Sequence, residues 1–244
     1  MAREKKYRLS CGEMLCEGAK MLREALSSGI ALRTVLVRGV PDNAAWELLR
    51  LAEQAGATLF SAPDALFRQA SDMETPQDVV FSCVPPSFGA GALTGVSRAL
   101  LLDGLQDPGN MGTILRTADA FALGAVVLAE GCVDPYAPKV VRATMGAIFR
   151  LPVIPLRRTD AFDLLHAEGL PLYAAALAED SVPVQQLSLD RCAVIIGNEG
   201  RGVSEETLAR CDEKIILPMA GSAESLNAGV AAAILMWEMT RKNA

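Results

Sequence analysis

Five polar side chains in three separate stretches of the chain are the residues best suited to chemistry. Asn110 and Arg116 lie in the first stretch, Glu199 in the second, and Ser225 and Asn227 in the third. A guanidinium such as that of Arg116 binds a phosphate or a hydroxyl. The carboxylate of Glu199 would repel a phosphate and suits a neutral or cationic ligand. Ser225 and Asn227 open a helical pattern, where free N–H groups favour a polar or negative ligand atom.

An apolar run precedes each stretch and indicates how the three meet. The runs end near Leu102, Ile196 and Leu217, and each leads into a loop rich in small or polar residues. In open α/β sheets, ligands bind where strands end and loops turn into helices. The three loops meet only if their strands lie side by side, so the pattern predicts one shared sheet.

The second half of the chain alternates apolar runs with helical patterns, which predicts a mainly parallel sheet with helices on both faces. Strands are predicted at residues 99–102, 125–128, 172–176, 193–196 and 214–217. Helices are predicted at residues 112–123, 139–149, 161–167, 204–210 and 225–241.

The first part of the chain predicts a smaller α/β unit. A capping-box spacing at residues 10–13 and apolar residues at helical period predict a helix that ends at Gly29. Strands follow at 34–37, 57–60 and 78–84, with a helix capped by Asp42 or Asn43 and a short helix at 63–70. Proline and glycine then indicate a linker. We therefore place the domains at 1–84 and 98–244, joined by residues 85–97.

Composition and net charge exclude some classes of function. The chain has 244 residues, 51% of them apolar, and a formal net charge of −6. This acidic balance argues against nonspecific polyanion binding by the whole surface but leaves room for a local basic patch. Six cysteines and one histidine lack the spacing of a metal site, and we expect reduced thiols. The N-terminus lacks an apolar signal region and no apolar run is long enough to span a membrane, so we expect a soluble, cytoplasmic protein.

Each motif also has a purely structural interpretation. Arg116 could be a surface arginine paired with Asp119 three residues later. Ser225 suits the cap of the last helix, and Asn227 suits it less if it lies inside the first turn. The glycine-rich turn at 197–202 is a weak signal alone, and the basic residues between 139 and 158 could form a solvated helix face.

Together, these motifs resemble the SpoU (TrmH-like) branch of the SPOUT methyltransferases over nearly the whole chain. The first resembles its Asn-x-Gly-x-x-x-Arg segment, the second its Gly-Asn-Glu-Gly-x-Gly segment, and the third its Pro-Met-x-Gly-x-x-x-Ser-Leu-Asn segment. The N-terminal unit resembles the substrate-binding domain of many ribosomal-RNA members. Two departures are Asp78 for a usual Gly, and Ala228 and Gly229 for a usual Val-Ser pair.

The resemblance implies an α/β fold, with a C-terminal trefoil-knot (SPOUT) domain after a small, ribosomal-protein-like RNA-binding domain. It implies S-adenosylmethionine as cofactor, a homodimer through the C-terminal helix, and methylation of a ribose 2′-hydroxyl, most of all in ribosomal RNA. Transfer RNA as substrate and a catalytically lapsed, RNA-binding ribosome-assembly factor are the alternatives. A nucleotide-dependent enzyme of the doubly wound type would need a GxGxxG or GxxxxGK[ST] motif, which the sequence lacks.

The resemblance also assigns roles to residues. The expected catalytic residues are Asn110, Arg116, Glu199, Ser225 and Asn227. The expected cofactor-binding residues are Gly197, Leu217, Gly221 and Leu226, and no metal is expected. Independently of the resemblance, basic residues cluster at the N-terminus and between residues 139 and 158, and the expected RNA-binding residues are Arg8, Arg33, Arg142 and Arg150. Arg116 acts either as the base for the 2′-hydroxyl or as a group that binds phosphate and orients that hydroxyl.

Overall fold

The computed structural model describes residues 4–40, 43–222 and 224–241, without the side chains of residues 43 and 44. The chain forms two compact units. The first holds the residues up to Pro86 together with Asp134–Arg150, and the second holds Ser87–Val133 and the residues from Leu151 onward. The segment Asp134–Arg150, which we placed in the second domain from the sequence, thus packs with the first unit.

The first unit is built on a mixed sheet of four strands. Its elements are α1 (Lys5–Cys11), β1 (Met14–Glu17), α2 (Ala19–Ser27), β2 (Leu32–Arg38), α3 (Asn43–Gln54), β3 (Thr58–Ala62), α4 (Asp64–Ala70) and β4 (Val79–Cys83). The strand order is β1-β4-β2-β3, in which β2 and β3 are parallel and the other neighbours are antiparallel. The strands and short helix predicted here are confirmed. Asp42, a predicted cap, lies outside the described residues, and so does the side chain of Asn43.

The long first helix predicted from residue 10 is wrong. Helix α1 ends at Cys11, and β1 pairs with β4 through Met14 opposite Cys83 and Cys16 opposite Phe81. The helical period holds only for α2, which buries Met21 and Leu22. Residues 14–17 form a strand because they pair with a distant strand. The local hydrophobic periodicity carries no information about such long-range pairing.

The second unit is built on a parallel sheet of seven strands, as the alternation predicted. Its elements are β5 (Arg98–Leu102), α5 (Pro108–Ala120), β6 (Ala125–Leu128), β7 (Val153–Pro155), α7 (Arg158–Ala167), β8 (Leu172–Ala175), β9 (Val182–Pro183), β10 (Cys192–Ile196), α8 (Glu205–Leu208), β11 (Glu213–Ile216) and α9 (Ala228–Thr240). The strand order is β7-β6-β5-β10-β8-β11-β9. All five predicted strands are present. The sequence missed β7 and β9, which span only three and two residues.

The segment Asp134–Arg150 supplies the remaining helix, α6 (Pro138–Thr144), followed by a 3₁₀ turn at Ala147–Phe149. The single helix predicted over 139–149 is therefore interrupted, because Met145 takes a left-handed conformation after Thr144. Within the first unit, α6 packs against β1. The predicted linker also contains a 3₁₀ turn, Ala90–Leu93.

The centre of the seven-stranded sheet explains where a site can form. Strands β5 and β10 lie side by side, with Leu102 opposite Ile196 at their carboxyl ends, and every residue of β10 is buried. Such continuous apolar runs are typical of parallel strands covered on both faces. Strand β8 separates β10 from β11, so two of the three loops start from adjacent strands and the third starts two strands away. Strand order does not define how loops thread, so the trefoil knot stays a prediction.

Candidate active site

A cavity of about 470 Å³ lies at the carboxyl ends of β8, β10 and β11 and is bounded by α9. Pockets of this size bind small molecules in many proteins, with mostly apolar walls and a few polar groups. Among the predicted cofactor-binding residues, Gly197, Leu217 and Leu226 line the cavity, and so do Glu199 and Ser225 of the predicted catalytic set. The strands end at one edge of the sheet, which explains how residues 197 and 226 meet.

Four other predicted residues lie outside the cavity wall. Gly221 is on an exposed loop. Asn110 is buried at the start of α5, Arg116 is exposed on the same helix, and Asn227 caps α9. The structure therefore separates the predicted residues that line the cavity from those that lie on the two adjoining helices.

The loop at residues 197–202 is closed on itself. Asn198 and Gly202 exchange backbone hydrogen bonds of 2.9 Å in both directions, and Asn198 Oδ1 accepts from the N–H groups of Gly200 and Arg201. A side chain at Gly197 would overlap the backbone of Gly202 and Val203, so only glycine fits there. These N–H groups are occupied within the loop. The loop is thus a shaped wall of the cavity.

Glu199 connects this loop to the start of α5. Its Oε1 accepts hydrogen bonds from Asp107 N (2.9 Å) and Asn110 Nδ2 (3.0 Å), and its Oε2 accepts from Gln106 N (3.1 Å). Burial raises the pKa of Glu199, but these hydrogen bonds outweigh burial and lower the pKa below the usual value. The carboxylate is therefore charged at neutral pH.

Helix α5 begins earlier than predicted. Asp107 is its N-cap, with Oδ1 accepting from Asn110 N at 2.8 Å, and Pro108 is the first helical residue. The helix was predicted from residue 112, yet aspartate followed by proline suits a cap and the first helical position. The earlier start puts Asn110 in the first turn, where its side chain reaches Glu199.

Asn110 and Asn227 converge where α5 meets α9. A Cβ placed on Gly229 would lie 3.2 Å from Asn227 Oδ1 and 3.4 Å from both Asn110 Oδ1 and Thr113 Cγ2. The departure from the usual serine at position 229 thus leaves space between two amide oxygens. Asn227 Oδ1 accepts from Gly229 N and Val230 N, so Asn227 caps α9 and the prediction that the helix opens at Ser225 is wrong. The helix starts three residues later, after an irregular loop.

Arg116 is exposed and makes no hydrogen bond or ion pair within the part of the chain that the structure describes. The alternative of a surface pair with Asp119 is therefore not formed. Arg116 follows Thr113 by three residues and shares its face of α5, and Thr113 lies beside Gly229. Its guanidinium is thus available to a ligand next to the convergence of Asn110 and Asn227.

The predicted RNA-binding arginines are mostly engaged inside the first unit. Arg8 is only 7% exposed and pairs with Asp134 at 2.6 Å. Arg150 pairs with Glu24 at 2.7 Å, and the ion pair between Arg142 and Asp72 is longer, at 3.6 Å. Arg33 is exposed on β2 and has no ion pair with another described residue. The four arginines therefore do not form one uncompensated basic surface.

One wall of the cavity was not predicted from the sequence. The end of β8 and the loop that follows it contribute Ala175–Ala178. These residues are apolar and carry no motif, so nothing in the sequence indicated that they line a cavity. Only the position of β8 between β10 and β11 brings this loop to the site.

No group of three or more histidine, cysteine, aspartate or glutamate side chains within 4–40, 43–222 and 224–241 is arranged to hold a metal ion. Over the same described ranges, every helix is too short or too polar to cross a membrane.

Comparison with known proteins places these features in a family. The model of the SpoU rRNA Methylase family matches residues 97–237, and that of the MRM3-like substrate binding domain matches residues 2–80. The 23S rRNA (guanosine(2553)-2'-O)-methyltransferase RlmP of Bacillus subtilis is 35% identical over 239 residues, which cover 96% of this chain and 91% of that protein. The 23S rRNA (uridine(2479)-2'-O)-methyltransferase of Streptomyces viridochromogenes is 31% identical, over 96% of this chain and 85% of its own.

Solved structures agree with the sequence relatives. An AdoMet-bound rRNA methyltransferase from Sinorhizobium meliloti matches with a TM-score of 0.90 and 26% identity, over 99% of this chain and 92% of that one. The SpoU methyltransferase AviRb from Streptomyces viridochromogenes, in complex with AdoMet, matches with a TM-score of 0.87 and 27% identity, over 99% and 94% of the two chains. The chain therefore belongs to the SpoU rRNA Methylase family, with an N-terminal MRM3-like substrate-binding domain.

Proposed function

We propose that this protein transfers a methyl group from S-adenosylmethionine to a ribose 2′-hydroxyl of ribosomal RNA. The observation that carries the proposal is the cavity beside the Glu199–Asn110 pair, with Arg116, which has no partner among the described residues, on the adjoining helix. The two 23S rRNA 2'-O-methyltransferases named above, and the two AdoMet-bound structures, support both the reaction and the cofactor.

The cavity suits S-adenosylmethionine in size and lining. Small side chains at Ala176, Ala228 and Ala231 leave its centre open, and Leu217 and Leu226 provide apolar walls. The charged carboxylate of Glu199 at the wall favours a cationic ligand. When bound, this cofactor supplies a methyl group activated by a positively charged sulfonium, so the protein mainly binds and orients.

The side chains next to the cavity would then position the ribose. Asn110 is fixed by Glu199, and Asn227 is fixed by its cap of α9, so both amides are oriented before substrate arrives. Arginine is protonated at physiological pH. We therefore assign to Arg116 the binding of a backbone phosphate and the stabilisation of negative charge that develops on the 2′-oxygen.

We also propose a homodimer formed through α9. Val230, Ile234 and Trp237 lie at helical spacing and are 48%, 38% and 49% exposed, and Trp237 packs against Phe121 at 6.0 Å between ring centroids. An exposed apolar stripe of this kind marks a protein interface. Small residues of α9, such as Ala231, face the cavity instead. The interface would use the larger side chains.

Ribosomal RNA is the proposed substrate because the chain carries the substrate-binding domain and because both named sequence relatives act on 23S rRNA. Such a substrate implies a cytoplasmic location. Arg33, which has no ion pair among the described residues, is the phosphate contact that we retain from the predicted set.

The test is transfer of labelled methyl from S-adenosylmethionine to total RNA, followed by digestion and analysis of alkali-resistant dinucleotides. We expect label in a 2′-O-methyl dinucleotide from the ribosomal fraction, lost in Arg116→Ala and kept in Arg157→Ala, a control at an arginine 75% exposed. Label only in transfer RNA would name the other substrate class. Cofactor binding without label on intact or partly assembled ribosomal RNA would favour the lapsed assembly factor.

A further inference from the structure

Asp103 is a buried carboxylate that the proposed chemistry does not use. It follows β5 directly and is 3% exposed. Its Oδ2 accepts hydrogen bonds from Ser204 Oγ at 2.7 Å and from Ser204 N at 3.1 Å. Its Oδ1 accepts from Arg158, 3.1 Å from Nε and 3.0 Å from Nη2. A charge held so fully by protein groups needs an explanation in stability or in function.

The position of Asp103 along the chain indicates a function. Its backbone N donates to Ile196 O at 2.8 Å, at the start of the run Ile196–Val203 that lines the cavity. Its carboxylate binds Ser204, the residue that follows this run and caps α8. One residue thus fixes both ends of the cavity loop, while Asn198 and Glu199 fix its middle.

Arg158 completes the arrangement. Its Nη1 contacts Glu206 of α8 at 2.9 Å, and its backbone N donates to Glu130 at 2.7 Å. Arg158 therefore ties the end of β5 to α8 and to the loop after β6. Burial raises the pKa of Asp103, but hydrogen bonds from Ser204 and Thr207 and the charge of Arg158 outweigh it and lower the pKa, which keeps the carboxylate charged.

We propose that Asp103 and Arg158 are positioning residues that hold the loop at 197–203 in the shape required to bind the cofactor. The proposal rests on the proposed placement of S-adenosylmethionine in the cavity. Neither residue lines the cavity, so both act through the loop. Loss of either should weaken cofactor binding while leaving turnover at saturating cofactor nearly unchanged.

The experiment measures the Kd of S-adenosylmethionine by calorimetry, and its KM together with kcat, for Asp103→Asn, Arg158→Gln and Ser204→Ala. We expect Kd and KM to rise tenfold or more in the first two variants, with kcat within about threefold of wild type. The matched control is Asp134→Asn, which breaks a partly buried ion pair with Arg8 inside the first unit. It should lower the melting temperature and leave Kd within about twofold.

The outcomes separate this inference from the proposed function. A folded Asp103→Asn protein with the wild-type Kd overturns the positioning role. If that variant does not fold, Ser204→Ala decides, since it removes the 2.7 Å bond to Asp103 together with the cap of α8, and an unchanged Kd there has the same meaning. Ala176→Leu fills the cavity, so cofactor binding that survives it refutes the placement of the cofactor. Binding lost in Ala176→Leu but kept in Asp103→Asn refutes only the positioning role.

Discussion

Substitution of Gly197 by alanine should open the cavity loop, whereas the same substitution at Gly200 should be tolerated. The added Cβ at Gly197 overlaps the backbone of Gly202 and Val203, and backbone cannot rotate away as a side chain can. At Gly200 the nearest atom to an added Cβ is Asn198 Oδ1 at 3.7 Å, an ordinary contact. The two variants make the same chemical change three residues apart in one loop, so they form a matched pair.

The expected cost follows from what must move. To relieve the overlap, residue 197 must move away from Gly202. This movement breaks the two hydrogen bonds between Asn198 and Gly202. Each such bond contributes about 1 kcal/mol, and overpacking adds about 1–3 kcal/mol. Gly197→Ala should therefore lose about 3–5 kcal/mol in the free energy of unfolding and weaken S-adenosylmethionine binding at least tenfold. Gly200→Ala should stay within about 0.5 kcal/mol of wild type.

The assay combines urea unfolding with calorimetric titration of S-adenosylmethionine for both variants. The reasoning is refuted if Gly197→Ala and Gly200→Ala have equal stability and equal Kd, because the close approach at residue 197 would then have no consequence. Loss of stability in Gly197→Ala without loss of affinity would instead mean that the loop at 197–202 does not shape the cofactor site.

Four further predictions concern other parts of the molecule. Glu199→Gln should cost about 1 kcal/mol at pH 7, a hydrogen-bond loss discounted for solvent screening at an exposed side chain. Because folding lowers the pKa of Glu199, its contribution is present above the usual value of 4.5 and is lost as pH falls through the lower folded pKa, so urea unfolding from pH 7 to 3.5 should show the two proteins converging. Ile234→Asp should convert the proposed dimer to a monomer by light scattering, while an unchanged mass would remove α9 from the interface. Arg8→Gln should destabilise the first unit by about 3 kcal/mol by breaking a partly buried pair, whereas Arg33→Ala should weaken RNA binding in a filter assay at unchanged melting temperature.

The sequence predicted the second unit well because its strands are buried on both faces. Runs such as residues 99–102 and 193–196 are apolar throughout, and the structure buries them almost completely. Their alternation with helices restricts the sheet to a parallel one. Short edge strands such as Val153–Pro155 and Val182–Pro183 carry too few residues for a pattern and depend on the neighbouring strand.

Prediction was weaker where a distant partner decides the outcome. Residues 14–17 continue the helical period of α2, yet they pair with β4, more than 60 residues later in the chain. Arg8 and Arg150 were expected to bind RNA because basic residues cluster near them in the sequence. Their partners, Asp134 and Glu24, lie 126 residues away from each of them. The distribution of charge along the sequence does not show which arginines are paired with a distant acidic residue.

The residues of the three motifs divide by what they do in the fold, and this division localises the chemistry. Asn198 fixes its own loop, Glu199 fixes the start of α5, and Asn227 caps α9. The side-chain hydrogen bonds of these three residues stabilise the fold itself, which keeps the site organised before ligands bind. Arg116, by contrast, has no partner among the described residues. A free, charged, planar donor beside two oriented amides is the group best placed to respond to substrate, so loss of Arg116 should reduce turnover with little effect on the loops around it.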